Sequence, residues 1–323
     1  MTTRRTPRLM KLLASLYGGG VGMRNALYDR GTLKQSSLQG PVISVGNLSV
    51  GGSGKTPFVI LLGGLLKQKG IQFDVLSRGY GRHTTGPMVV DASGTALDFG
   101  DEPLLIARRL GVPVVVGEDR FQAGQLAEKT FGPQYHLLDD GFQHRSLARD
   151  FDIVLVTPED SDDQLLPAGR LREKFTSLAR ADVLVLTSVA PSDRLPAFGK
   201  MIWRVHRAIS VKNAPEHPVA FCGVARPGNF FMQLRLAGVQ PAAEANYRDH
   251  HAYTEQDIRD LLHLKEKSEA DGFVTTEKDE INLGPHITTL QPLTVIPVQM
   301  ELPDAANAVD TMLRIVQERK GEA

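Results

Sequence analysis

VISVGNLSVGGSGKT, residues 42–56, reads as a strand, a glycine loop and a helix start in direct succession. A short buried strand is expected over Val42–Val45. Gly51, Gly52 and Gly54 form the loop, and Lys55-Thr56-Pro57 open an apolar helix running to Gly70. Such a junction cradles phosphate. Glycines let backbone N–H groups turn inward, Lys55 can reach the β- and γ-phosphates, and the Thr56 hydroxyl can bind Mg²⁺. Pro57 is harmless there, because first-turn N–H groups have no intrahelical partner. The strict spacing GxxxxGK[ST] would place glycine where Ser49 stands, so the loop is a variant. The stretch implies a nucleoside triphosphate site, with ATP the expected ligand.

Outward from this loop, strand-like runs alternate with helical ones. Strands are expected at Phe73–Ser77, Met88–Asp91, Val112–Val116, Tyr135–Leu138, Ile153–Val156 and Val183–Leu186, with helices at Pro103–Leu110 and Gln122–Lys129 between them. Apolar strands in β-α alternation predict an α/β fold with a parallel sheet covered by helices on both faces. VAPSDRLPAFGK, beginning at Val189, is loop-like and suggests a boundary. Beyond it a smaller α/β unit is expected: an extended segment Trp203–Val211, helices near Asn229–Leu236 and over Thr254–Ala270, and a last strand, Leu293–Val298, before a helix from about Pro303 to Lys320. Thr254 and Asp257 have capping-box spacing. Pairing of the last strand with Trp203–Val211 would make a two-stranded linker between lobes that close on substrate. The organisation expected is a basic helical segment at 1–35, a P-loop domain at 36–205, a smaller lobe at 206–292, and a linker strand with returning helix at 293–323.

Composition narrows the classes. The 323 residues suggest about two domains, at roughly 150 each. Lys+Arg and Asp+Glu balance at 37 each, so no global field points to nucleic acid. One cysteine, Cys222, excludes a disulfide framework and fits a reducing compartment. No apolar run approaches the roughly 18 residues of a membrane span. The N-terminus departs from neutrality: Arg4, Arg5, Arg8, Lys11, Arg24, Arg30 and Lys34 face Asp29 alone in residues 1–38. Leu9, Leu12, Leu13 and Leu16 recur at helical spacing within Arg4–Tyr17. A short basic amphipathic helix of this kind either lies on an anionic membrane or packs on the domain.

Five further clusters carry chemistry. In YHLLDDGFQHR (135–145) a strand ends in Asp139 and Asp140, either of which can face Thr56 across Mg²⁺. Gly100-Asp101-Glu102-Pro103 offers a base for an attacking hydroxyl, although Asp101 is equally a natural N-cap before Pro103. Ser77–Arg82 and Gly117–Arg120 follow strands, and their arginines suit phosphate. In Asp249-His250-His251 no third ligand is spaced to complete a metal site, and an Asp–His pair orients a base instead.

The motifs VGNLSVGGSGKTP, SRGYGR, GDEP, LLDDGFQHR, LPAGRLRE (166–173), DHHAY (249–253) and TTEKD (275–279) occur in this order. Together they closely resemble the tetraacyldisaccharide 4′-kinases of lipid A biosynthesis, over about residues 8–320. The resemblance implies ATP- and Mg²⁺-dependent phosphorylation of the 4′-hydroxyl of a tetraacylated glucosamine disaccharide 1-phosphate, giving lipid IVA at the cytoplasmic face of a bacterial inner membrane. It implies nucleotide binding by Ser49, Val50, Gly51, Gly52, Ser53, Gly54, Lys55 and Thr56, with Lys55 also catalytic. Asp101 matches the base and His250 its partner, although His251 stands beside it. Thr56, Glu102, Asp139 and Asp140 match the Mg²⁺ cluster. Arg78, Tyr80, Arg120, Gln143 and His144 match the substrate site. The partners implied are the lipid and a membrane surface, met through the N-terminal helix, with no nucleic acid and no obligatory protein. A lipid with four chains favours the membrane reading of that helix, because each exposed CH₂ costs about 0.8 kcal/mol. The competing class is a nucleotide switch or metallochaperone acting on a protein. Guanine selection there usually needs an NKxD-like loop, and Leu186-Thr187-Ser188-Val189-Ala190 has no Lys-x-Asp.

Overall fold

The computed structural model describes residues 7–187 and 199–321. Arg4, Arg5 and the expected boundary loop after Ser188 lie outside these residues. Two sheets organise the chain, one of nine strands and one of four.

The large sheet is built around β1 (Val42–Asn47), every residue of which is buried. α2 (Lys55–Gln68) leads to β2 (Phe73–Ser77), then β3 (Met88–Val89), α3 (Ala96–Phe99), α4 (Asp101–Leu110) and β4 (Val114–Val116). α5 (Arg120–Phe131), β5 (Tyr135–Asp139), β6 (Phe151–Val156), β7 (Val183–Thr187) and β8 (Met201–Ile209) follow. β1 pairs in parallel with β5 on one side and β6 on the other. Connections therefore leave the centre in both directions, and this reversal places a crevice outside the C-terminal ends of these strands. Expected strand Met88–Asp91 is a two-residue antiparallel edge on β4.

Side chains alternate across the sheet. Ile43 and Val45 join Phe58, Leu62 and Leu66 of α2 in one cluster, while Val42 packs with Leu38, Ala123 and Ala127 on the other face. A strand buried on both faces has no polar alternation, which explains its continuous apolar sequence.

The small sheet contains β9 (Val219–Cys222), β10 (Ala243–Asn246), β11 (Phe273–Thr276) and β12 (Leu293–Ile296), all parallel, in the order β10-β9-β11-β12. α7 (Glu255–Lys267) covers one face with Ile258 and Leu261, and α6 (Pro227–Leu236) the other with Phe230, Phe231 and Leu234. Thr254 and Asp257 form the expected capping box. α8 (Glu277–Leu283) follows β11 directly.

The expected strand Leu293–Val298 is two strands. β12 belongs to the small sheet, whereas β13 (Val298–Glu301) pairs antiparallel with β8 at the edge of the large one. Pro297 separates them; it has no N–H to give a ladder. Residues 293–296 therefore complete the smaller lobe rather than begin the linker. α9 (Ala305–Gly321) then buries Val309, Met312 and Val316 on the large sheet. The N-terminal helix α1 (Arg8–Asp29) is longer than expected and continues through the three glycines at 18–20. Gly18 packs closely, and a Cβ there would stand 2.5 Å from Leu165 Cδ1, the end of a side chain that would have to turn aside.

Candidate functional site

The crevice at the end of β1 is bordered by the glycine loop, whose shape suits phosphate. Gly51, Gly52 and Gly54 have φ of 79°, 42° and 85°, a region that disfavours side chains. Gly54 caps α2, so the loop's N–H groups and the helix N-terminus face the same space. A second segment braces the loop from outside. Val50 N–H donates to Arg170 O at 2.9 Å, and Arg172 N–H to Leu48 O at 2.6 Å. LPAGRLRE thereby acquires a role that its sequence did not disclose.

Lys55 is held by acceptors at the end of β1. Its Nζ lies 3.1 Å from Asn47 Oδ1 and 3.5 Å from Asp140 Oδ1. Arg172 donates to both Asp140 oxygens, at 2.9 and 2.7 Å, and to Asn47 Oδ1. Burial alone would raise the Asp140 carboxyl; Lys55 and Arg172 outweigh it and hold the group well below the usual carboxylate range. Asp140 also adopts φ 52°, which turns its side chain away from the line of β5.

Asp139 differs sharply. It ends β5 at 2% exposure, accepts from Ser77 Oγ at 2.9 Å, and its Oδ1 is buried without a partner. Burial, with Glu102 and Asp140 nearby, pushes it up to about 7. An unpaired buried carboxylate oxygen suits a cation, and Thr56, which opens α2 after the glycine loop, is buried as well. Among the described residues no three His, Cys, Asp or Glu side chains converge as a metal cage. The expected acidic cluster is thus only partly assembled: Asp140 is committed to Arg172 and Lys55, leaving Asp139 and Glu102. Mg²⁺ needs no complete protein cage, since it is commonly held by one or two carboxylates together with substrate phosphates.

Across the crevice, the two sheets meet at Asp101. Gly100, with φ 88°, caps α4, so Asp101 is its first residue, and its Oδ1 accepts the first-turn N–H of Glu102 at 2.8 Å. Both Asp101 oxygens also lie 2.9 Å from His250 Nδ1. Asn282 Nδ2 donates to Oδ2 at 3.0 Å, and Lys278 Nζ stands 3.8 Å away. Burial would raise Asp101, but His250 and Lys278 reverse the sign and keep it below its ordinary value. Burial would likewise lower His250, and Asp101 turns that into a net rise. Lys278 also reaches Asp249 at 2.9 Å, His250 Nε2 at 3.2 Å and Glu102 at 3.7 Å. His251 faces away, bonded to Asp257 at 3.1 Å and stacked on Tyr247. Of the two histidines, His250 is the one at the site.

The remaining expected residues ring this centre unequally. Tyr80 is exposed, with its ring 5.0 Å from that of His250. Arg78 is exposed on the same loop. Arg120 is buried, donates to the Gly117 and Glu118 carbonyls, and feels the Asp139 and Asp140 charges. Gln143 donates to Asn47 O at 2.8 Å, supporting the loop. His144 bonds Ser146, and burial with Arg120 pushes it down to about 4, so it is neutral near pH 7. Ile60, Leu105, Phe230 and Val298 give the cleft an apolar wall beside Gly52–Thr56, which suits a nucleotide base. Asn47, Arg172, Lys278 and Asn282 are site residues that sequence reasoning missed. Arg172 and Lys278 sit in motifs that marked their neighbourhoods without marking them.

Comparison with known proteins agrees over almost the whole chain. The family model described as Tetraacyldisaccharide-1-P 4′-kinase matches residues 6–317. A Koribacter versatilis protein described as Tetraacyldisaccharide 4′-kinase is 48% identical over 324 residues, covering 97% of this chain and all of its own. A Geobacter metallireducens protein of the same description is 35% identical over 97% of this chain and all of its own. The crystal structure of Aquifex aeolicus LpxK in complex with ATP superposes with a TM-score of 0.78. It is 34% identical, covering 94% of this chain and 97% of that one.

Proposed function

The chain belongs to the tetraacyldisaccharide-1-P 4′-kinase family, and we propose that Asp101, His250, Lys55 and the 49–56 loop carry out its reaction. The enzyme transfers the γ-phosphoryl group of ATP to the 4′-hydroxyl of tetraacyldisaccharide 1-phosphate, forming lipid IVA. The 4′-oxygen forms a bond to phosphorus, the bond to the β-phosphate oxygen breaks, ADP leaves, and the hydroxyl proton must be accepted.

Asp101 accepts it. Its carboxylate is ionised, buried, and oriented by His250 and Asn282. A positioned base contributes about 10²–10⁴-fold. His250 keeps Asp101 in place and shares the developing charge. Lys55 and the loop N–H groups hold the phosphates, and most of the remaining acceleration comes from such positioning and charge neutralisation. Thr56, Asp139 and Glu102 would hold Mg²⁺, which would supply further charge neutralisation. Arg78, Tyr80 and Arg120 border the space for the acceptor sugar and its phosphate.

The N-terminal helix brings this centre to its substrate. Leu9, Leu12, Leu13 and Leu16 are exposed on α1 beside Arg8 and Lys11, while Asn25, Asp29 and Tyr17 bind Glu173, Arg145 and Arg172 of the large domain. One end is docked and the other presents apolar and basic side chains to an anionic surface. No helix among the described residues is long and apolar enough to cross a membrane.

The observation that carries this reading is the 2.9 Å Asp101–His250 pair, drawn from the two sheets beside a phosphate loop. The test is incubation with γ-labelled ATP, Mg²⁺ and tetraacyldisaccharide 1-phosphate in mixed micelles. A labelled bis-phosphorylated lipid is expected. Hydrolysis of ATP without a labelled lipid would point to a protein-directed switch instead.

A further inference from the structure

Arg226 is the cleft's incompletely satisfied cation. It immediately precedes α6 in the smaller lobe and lines the crevice with Gly52–Thr56. A Cβ on Gly52 would stand 3.0 Å from Arg226 Cγ, so the arginine stem lies directly on the phosphate loop. Nη1 donates to Glu159 Oε2 at 3.2 Å, in the turn after β6 of the large sheet. Nη2 is buried and has no hydrogen-bond partner among the described residues. Arg207, on β8, lines the same cleft and makes no ion pair among the described residues.

We propose that Arg226 is a phosphate clamp contributed by the smaller lobe, which leaves Glu159 to bind the terminal phosphates of the nucleotide. The proposal rests on the kinase reading above. Three features support it. A charged donor buried without an acceptor is costly, and a phosphate oxygen at the loop would satisfy it. The planar guanidinium fork matches phosphate oxygens two at a time. Glu159 is 55% exposed, so its pairing with Arg226 is worth little and is readily exchanged. The absence of a side chain at Gly52 is what lets the arginine come this close. An arginine supplied within the same chain also stabilises charge during phosphoryl transfer in other nucleotide enzymes.

The test is calorimetric titration of the full chain with ATP and with AMP, without lipid, for wild type, Arg226→Ala, Arg226→Lys and Glu159→Gln. A clamp predicts that Arg226→Ala weakens ATP by about 10- to 100-fold, the range of a hydrogen bond to a charged group, and weakens AMP much less. Arg226→Lys should recover part of the loss. Glu159→Gln should bind ATP as tightly as wild type or more so, because it removes the competing negative charge. Equal weakening by Arg226→Ala and Glu159→Gln would reduce the pair to a bridge between lobes and overturn the proposal. So would unchanged ATP affinity in Arg226→Ala. Absence of ATP binding in wild type would instead remove the kinase reading on which the clamp depends.

Discussion

Asp101 and Asp139 are both buried carboxylates, yet their surroundings drive them in opposite directions. Asp101 meets His250, Lys278 and Asn282 and stays ionised. Asp101→Asn should therefore lower kcat by about 10²–10⁴-fold and leave ATP affinity unchanged, as checked by steady-state rates beside calorimetry. Asp139 meets Glu102 and Asp140 in a dry site and is raised from 3.8 to about 7. The metal-free folded state thus binds a proton that the unfolded chain has released, and the penalty grows as pH climbs from about 4 to about 7. Asp139→Asn removes it. Thermal melts without Mg²⁺ should show the variant more stable than wild type at pH 8, by roughly 1–4 kcal/mol, with the difference vanishing near pH 4 and turnover lost throughout. Equal melts at pH 8 would mean that Asp139 carries no such strain. Neither environment was legible in the sequence. Lys278 and Asn282 lie more than a hundred residues from Asp101, and only the approach of the two sheets gives them a common partner.

Elements were legible wherever burial dictates a continuous apolar run. β1, β2, β5, β6 and β7 stand within two residues of their expected bounds, because strands covered on both faces are rich in Val, Ile and Leu. Errors fell where the pattern is interrupted. Pro297 divides one apolar run between two sheets, and α1 continues well past Tyr17, where the expected amphipathic stretch ended. Helix α1 carries its own prediction. Each exposed leucine buried in a membrane gains about 1.5–3 kcal/mol, so Leu12→Glu with Leu16→Glu should reduce binding to anionic vesicles by more than tenfold in a sedimentation assay. Unchanged binding would return α1 to a purely packing role. A further test concerns the opposite end of β5 from Asp139. His136 of β5 is fully buried, with Nδ1 2.9 Å from Asp74 of β2 and Nε2 3.2 Å from Glu128 of α5. Burial would lower it, but Asp74 and Glu128 raise it above 6.5. A raised imidazole stabilises fully below pH 6.5, and the contribution is lost as pH rises through the folded value. His136→Gln should lower the melting temperature at pH 6 and flatten its decline above pH 6.5; a parallel decline would exclude this triad as the cause.

Across the whole molecule, the site exists only where the two sheets meet. The large sheet supplies Lys55, Asp101, Asp139 and Arg172, and the smaller lobe supplies His250, Lys278, Asn282 and Arg226. Arg109–Glu277 and Arg226–Glu159 span the same junction, so the lobes' relative placement and the chemistry share contacts. The seven ordered motifs announced this enzyme in sequence because a phosphoryl-transfer centre needs its loop, base and acids from different strand ends. The division of labour between lobes was not announced, since no local pattern says which strand end faces which. The most direct measurement is a single-turnover rate of phosphate transfer from ATP to tetraacyldisaccharide 1-phosphate, with Asp101→Asn, His250→Ala and the double variant compared against wild type. Each single change should slow the transfer step by orders of magnitude, and the double variant should be scarcely slower than the worse single one, because the two residues act as one unit. Independent, multiplying losses, or a transfer step as fast as wild type in either single variant, would contradict a base assembled from both lobes.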